Sequence, residues 1–281
     1  MRAFDRIIDA ALDEDIGTGD ITTDTIIDET LFASGVIRVK EDAVVAGLPV
    51  VERVFQRVDP GIKLDCSVHD GDRVKKGAIL ARVTGRASSL LKAERTALNF
   101  LMRLSGIATT TRRYVQELSG TGAVLLDTRK TTPGLRTLEK EAVRAGGGTN
   151  HRVGLFDGVL IKDNHIKAAG SIKNAVRRMQ RARPYHKIEV EVRNRKELDE
   201  AMRAGADIVL LDNMDLGMLE QALSAAHGNV LTEVSGNITL ENIRAVAVLG
   251  PDFISTGAIT HSAKAIDISM KLTNIYKKER T

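Results

Sequence analysis

Residues 127–165 read DTRKTTPGLRTLEKEAVRAGGGTNHRVGLFDGVLIKDNH, and two apolar runs frame their meaning. One run, residues 123–126, leads into the stretch, and the other, residues 158–161, stands near its end. Short apolar runs that break into charged residues read as buried parallel strands, which deliver side chains at their carboxyl ends. The first run delivers Thr128, Arg129 and Lys130, and the second delivers Lys162 and His165. Between them lie a helix-like segment at 135–145, a triple glycine at 146–148, and then Asn150, His151 and Arg152. Nearly every polar group here is cationic or a hydrogen-bond donor. A pocket built from such groups suits a ligand with several negative charges.

The same texture continues downstream. Apolar runs recur at 187–192, 207–211, 229–234 and 252–255, with helical spacing at 171–182, 195–204, 216–226 and 240–248. Repeated βα units with buried strands imply a parallel sheet. Their spacing predicts an α/β barrel of about six parallel strands in place of the usual eight. A doubly wound open sheet is the alternative, but no GxGxxG follows the first strand.

Upstream the chain is different. Ile7, Ile8, Ala11 and Leu12 mark a helix over 3–14, and DIGTGDITT at 15–23 reads as a loop. Strands follow over 32–46, then a helix over 49–58. Asp70-Gly71 and Lys76-Gly77 predict hairpin turns within 62–85. A helix over 88–107 carries a leucine stripe, with Arg95 on another face. The expected division is an N-terminal α/β domain at 1–107 and a catalytic barrel at 108–262. A terminal helix within 263–281 is expected to pack back on one of them.

Composition narrows the function. A chain of 281 residues fits about two domains. With no Trp and 3% aromatic residues, the cores must be aliphatic. A net charge of +4 suits an acidic small molecule and is too weak to argue for nucleic acid. Cys66 is the single cysteine, so no intramolecular disulfide or Cys-based zinc site is expected, and a reducing cytoplasm is. No apolar run approaches ~18 residues, so no membrane span is expected.

Barrel enzymes place their sites at the carboxyl ends of the strands. The last two ends, Ser235-Gly236-Asn237 and Thr256-Gly257, are small turns that expose backbone N–H groups before a helix, a setting for phosphate. Glu191 and Asp212 are carboxylates in a cationic setting. A glycosidase pair is one reading, and magnesium carried by a diphosphate is a better one. If residues 187–192 form a strand, Glu189 shares a face with Glu191, which lies nearer the carboxyl end. His151 has no His or Cys partner at metal-ligand spacing.

Taken together, DTRKTTPGLR, GGG-x-NHR, LIKDNH, EVEV, LLDN, EVSGNI and STGAITHS, with ERTALNFLMRLSGIATTT upstream, closely resemble the quinolinate phosphoribosyltransferase family. The resemblance spans nearly the whole chain. It implies an open-faced α/β sandwich beside an α/β barrel. It also implies transfer of phosphoribosyl from phosphoribosyl pyrophosphate to quinolinate, with magnesium, giving nicotinate mononucleotide, pyrophosphate and carbon dioxide. A homodimer with shared sites, or a homohexamer, goes with it, and Arg95 would act in trans. Thr128, Arg129, Lys130, His151, Arg152 and Lys162 would line the quinolinate and diphosphate region. Glu191 and Asp212 would face the ribose and, through water and diphosphate, the metal. Lys130, Lys162, Glu191 and Asp212 would form the catalytic set. Ser235, Gly236, Asn237, Thr256 and Gly257 would hold the 5′-phosphate. Two other readings stand beside it: a transferase of this fold for another acidic heterocycle, and, in another class, a Schiff-base aldolase using Lys162 or a non-catalytic anion-binding barrel.

Overall fold

The computed structural model describes residues 4–277, which divide into two compact units. The first contains residues 4–112, 132–147 and 263–277, and the second contains 113–131 and 148–262.

In the first unit an antiparallel sheet has the order β12-β1-β5-β3, with strands numbered along the chain. They are β1 (Leu31–Val39), β3 (Lys63–Cys66), β5 (Ile79–Arg86) and β12 (Ile268–Lys277). A separate two-stranded ribbon pairs β2 (Ala43–Val44) with β4 (Arg73–Val74). Helix Leu48–Val58 buries Val50, Val51, Val54 and Phe55, an i, i+1, i+4, i+5 face that helical periodicity demands. Helix Asp5–Ile16 docks through Ile8 and Leu12, and its Asp5 pairs with Arg53 at 2.9 Å. The 15–23 segment is more ordered than a loop. Asp20 accepts the N–H groups of Thr22 and Thr23 and so caps a short helix, Ile21–Ile26.

Two expectations are corrected here. The helix expected within 263–278 is strand β12, which pairs with β1 from Val39↔Ile268 to Leu31↔Lys277. Ile266, Ile268, Met270 and Leu272 are spaced by two residues, which is the period of a strand rather than of a helix; Lys278 lies outside the described residues. Helix Ala87–Glu117 continues well past residue 107, where the sequence reading stopped it. Burial of Ile107, Ala108, Thr111 and Tyr114 outweighs the weak helix propensity of Gly106 and three successive threonines.

The second unit is built on a six-stranded parallel sheet, β6-β11-β10-β9-β8-β7. Its strands are β6 (Val124–Leu126), β7 (Val159–Ile161), β8 (Ile188–Val192), β9 (Ile208–Asp212), β10 (Leu231–Ser235) and β11 (Phe253–Ser255). This is the cyclic order of an α/β barrel with the β6–β7 ladder missing among the described residues. The free edge of β6 is taken instead by the Thr149 segment: Thr149 donates to Leu125 O, and Asp127 donates to Thr149 O. The side chains of Ser171, Asn194 and Asp215 cap the helices Ile172–Ala182, Arg195–Ala204 and Leu216–Ala226. Each cap is worth ~1 kcal/mol. A helix missed from sequence, Asp163–Ala169, starts directly after Lys162.

Candidate active site

A cleft of about 630 Å³ opens at the carboxyl ends of these strands. The strand period fixes its lining. On β8, Glu189 and Glu191 both point inward, while Val190 faces the outer layer and is fully buried. The ladders set Ser235 level with Asp212 and with Ser255, and Glu233 level with Leu210. The floor of the cleft is therefore Leu160, Leu210 and Glu233, and the rim is polar.

Three cations approach from the β6 side. Arg129 and Lys130 are exposed, and Thr128 Oγ1 accepts the Lys130 N–H at 3.1 Å. Arg152 is tethered to Gly158 O at 3.1 Å. Burial pushes the Arg152 guanidinium below its ordinary value, and the positive charge of Arg129 adds to this. Two guanidiniums held close enough to repel are set for an anion between them.

Opposite them lies an alternating charge chain. Lys162 Nζ meets Glu191 Oε2 at 2.6 Å. Arg193 reaches Glu191 at 3.7 Å and Asp212 at 4.0 Å. Arg193 follows β8 directly, as Lys162 follows β7, and was not singled out from the sequence. Glu191 is 8% exposed, so its pairing with Lys162 offsets a real desolvation cost.

The deepest cluster was not expected. His151 Nε2 lies 3.0 Å from Glu189 Oε2 and 3.5 Å from Glu233 Oε2. Both glutamates are buried, and one oxygen of each, Oε1, has no hydrogen-bond partner. The three ligand atoms are close enough together to hold a metal ion. The other ring nitrogen argues against one: the Arg152 backbone N–H donates to His151 Nδ1 at 2.7 Å. A nitrogen that accepts an N–H carries no proton, so in the neutral ring the proton is on Nε2 and points at Glu189. An Nε2 that bears a proton cannot ligate a metal. Burial works against an imidazolium here, while the Glu189 hydrogen bond and the charges of Glu233 and Glu189 raise the His151 value overall. The Arg152 N–H opposes that rise directly, and we assign the neutral Nε2–H form.

The missing proton belongs to Glu233. Burial, and next the charge of Glu189, push its carboxyl up to about 8, against the hydrogen bond with Ser255. A glutamate that binds its proton more tightly when folded gives stability that is lost as pH rises from its unfolded value, ~4.3, through about 8. Thermal melts between pH 5 and 9 should thus show stability falling with pH, and Glu233→Gln should flatten the fall. Equal slopes in both proteins would exclude a proton held at Glu233.

At the β10 end, Gly236 (φ 98°) and Asn237 (φ 50°) are consecutive left-handed residues. A Cβ on Gly236 would collide with Asn213, itself left-handed at φ 54°. Asn237 Nδ2 donates to Asn213 Oδ1 at 3.0 Å, which joins the β9 and β10 ends. The turn is not a helix start, because the next helix begins only at Ile243. Backbone N–H groups of the loop, rather than a helix terminus, are what it offers an anion.

Comparison with known proteins places this geometry. A family model described as the quinolinate phosphoribosyl transferase C-terminal domain matches residues 107–271, and one for the N-terminal domain matches residues 20–105. The chain belongs to the quinolinate phosphoribosyltransferase family. It is 44% identical over 261 residues to a probable carboxylating nicotinate-nucleotide pyrophosphorylase of Bacillus subtilis, covering 92% of this chain and 90% of that one. A decarboxylating quinolinate phosphoribosyltransferase of Nicotiana tabacum is 41% identical, with 95% and 81% covered. Among solved structures, the nicotinate-nucleotide pyrophosphorylase of Francisella tularensis superposes with a TM-score of 0.91 at 42% identity, covering 95% of each chain.

Within this family member, most of the residues singled out from sequence meet in one cleft: Thr128, Arg129, Lys130, His151, Arg152, Lys162, Glu191, Asp212, Ser235, Gly236 and Asn237. Three of the expected binding residues do not line it. Arg95 is exposed on helix Ala87–Glu117, in the first unit. Thr256 is buried, and its hydroxyl donates to Ile238 O at 3.0 Å, so it braces the turn. Gly257 acts by lacking a side chain: a Cβ there would press on Lys130 Cδ at 2.9 Å. Its helix, Ala258–His261, is too short to provide a dipole of consequence. His165 is turned away as well, because its Nδ1 accepts the Lys162 N–H at 3.0 Å and so caps the start of its own helix, Asp163–Ala169. Glu233 was legible in principle. It stands two residues before Ser235 on one strand, just as Glu189 precedes Glu191, and period two turns such pairs to the same face.

Proposed function

We propose that this chain transfers phosphoribosyl from phosphoribosyl pyrophosphate to quinolinate and decarboxylates the product. Nicotinate mononucleotide, pyrophosphate and carbon dioxide are formed, a step of NAD biosynthesis. The observation that carries this reading is the division of the cleft. Arg129, Lys130 and Arg152 form a cationic wall on one side, and Lys162, Glu191 and Asp212 line the other, with Arg193 paired to both carboxylates.

Quinolinate is a dianion, and the wall offers its carboxylates charge-assisted hydrogen bonds worth roughly 1.5–3 kcal/mol each. Glu191 and Asp212 face the ribose, where positive charge develops at C1 as the pyridine nitrogen attacks. Lys130 and Lys162 meet the departing diphosphate. The backbone of Gly236 and Asn237 receives the 5′-phosphate. The ribosylated ring nitrogen is positive, and that charge stabilises the electron pair left at C2 when the adjacent carboxylate departs. No organic cofactor is required.

Magnesium fits this donor set in one way. Glu191 and Asp212 are hard oxygen donors already paired with Lys162 and Arg193, so they would hold an ion through water and diphosphate rather than in a cage of their own. When bound, the ion would neutralise diphosphate charge. Lys162 sits against Glu191 at a polar rim, not in the apolar pocket that activates a Schiff-base lysine, which weakens the aldolase reading.

We further propose that the active unit is at least a homodimer in the cytoplasm, with Arg95 supplied to the cleft by a second copy of the chain. Arg95 is exposed and makes no hydrogen bond or ion pair among the described residues. Mixed Arg95→Ala and Lys162→Ala subunits should then regain activity that neither variant has alone. No recovery in subunits shown to exchange would rule out a shared site. The direct test of function is product formation from quinolinate, phosphoribosyl pyrophosphate and magnesium, with nicotinic acid as a parallel acceptor. Turnover of another acidic heterocycle in place of quinolinate would keep the transferase and change its acceptor.

A further inference from the structure

We propose that Glu233 is the acid that protonates C2 of the pyridine ring after decarboxylation. The inference rests on the reaction proposed above and adds the source of its final proton. In that step the bond between C2 and its carboxylate breaks, carbon dioxide leaves, and the electron pair stays on C2 beside the positive ring nitrogen. A C2–H bond must then form, so some group in the cleft gives up a proton.

The cleft narrows the choice. Arg129 and Arg152 are guanidiniums, which hold their protons too tightly. The Nε2–H of His151 is directed at Glu189, and Nδ1 is filled by the Arg152 N–H. Lys162 is engaged by Glu191 at 2.6 Å, and Lys130 stands exposed at the mouth. Glu233 is different. It lines the floor of the cleft, is 2% exposed, and keeps Oε1 without a partner.

Its surroundings suit an acid that gives its proton once per cycle. Glu189 faces it from β8 and His151 from the β6 side, while Ser255 reaches it from β11. A second carboxylate this close keeps Glu233 neutral, so it does not repel a dianionic substrate. Proton transfer leaves Glu233 as a carboxylate and turns the zwitterionic ring into a pyridinium cation, so the new charges attract. Glu233 regains its proton from water once product has left.

The test is a single-turnover quench with phosphoribosyl pyrophosphate, magnesium and quinolinate labelled in the C2 carboxyl, comparing wild type with Glu233→Gln. Glutamine keeps the shape and the neutral charge but has no acidic proton. Pyrophosphate release should stay within about threefold of wild type. Nicotinate mononucleotide should form on the order of 10²–10³ slower, with quinolinate mononucleotide accumulating because the unprotonated electron pair at C2 recaptures the carbon dioxide held in the cleft. Equal slowing of both steps would assign Glu233 a structural role, and no slowing of either would assign the proton elsewhere; both overturn the proposal. Wild type that releases no pyrophosphate from quinolinate would instead overturn the reaction itself. If E233Q does not fold, wild type in deuterium oxide carries the test. Nicotinate mononucleotide formation should slow by about twofold or more while pyrophosphate release does not, and an absent effect on the product step overturns the proposal.

Discussion

Replacing Lys162 with alanine should lower kcat by about 10²–10³, the loss seen when one preorganised stabiliser of transition-state charge is removed. Lys162 follows β7 directly and is also the N-cap of helix Asp163–Ala169, so backbone on both sides fixes its Cα. Its ammonium is then held by Glu191 at 2.6 Å, with the side chain 46% exposed towards the cleft. Such a group needs no reorganisation when negative charge builds on a leaving diphosphate. The substitution also leaves Glu191 with Arg193 at 3.7 Å as its remaining ion-pair partner. Part of the loss should therefore come from a carboxylate whose charge is less well balanced. Arg193→Ala separates the two effects. It removes the more distant partner, keeps the ammonium, and should cost well under the Lys162→Ala loss. Steady-state kinetics at saturating substrate would check this, and an unchanged kcat in Lys162→Ala would remove the residue from the chemistry.

Much of the rim was legible because its polar residues stand at or just beyond the carboxyl ends of apolar strands. LLDTRK, VLIK, EVEV, LLDN and EVSGN all place their polar groups at predictable carboxyl ends. The floor was harder to read. Glu233 lies inside an apolar strand, and nothing local says that Glu189, two strands away in the sheet and in another βα unit, is turned towards it. The pairing arises only from parallel register, which is a tertiary property. The His151 cluster was hidden for the same reason, since its partners are carboxylates on two other strands rather than neighbours at a fixed spacing. The terminal segment failed differently. Its alternation was present in the sequence, but Ile275 and the charged residues around it fit a helical wheel equally well, and only pairing with β1 decides. The phosphate turns were read at the right residues for an incomplete reason, because left-handed backbone rather than a helix end shapes the β10 turn.

Arg103→Met should destabilise the first unit by about 3–5 kcal/mol, the usual cost of stripping one partner from a buried ion pair. Glu139 is fully buried, and Arg103 donates to its Oε1 from Nε at 3.2 Å and from Nη2 at 2.9 Å. Thr132 adds its hydroxyl at 2.8 Å and its backbone N–H at 3.2 Å to the same carboxylate. The third guanidinium nitrogen reaches Ala263 O at 3.0 Å. One side chain on helix Ala87–Glu117 thus holds two distant segments, the turn before helix Arg136–Ala145 and the lead into β12. Methionine would keep the stem and its packing but leave a carboxylate in the interior with fewer donors. Thermal melting should drop by several degrees, at ~2–4 °C per kcal/mol for a chain of this size. The double variant Arg103→Met with Glu139→Gln should recover a substantial part of the loss, because the amide carries no charge to desolvate. A single variant as stable as wild type would mean that Glu139 is held by its other neighbours. A double variant no better than the single would place the cost in lost geometry rather than in uncompensated charge.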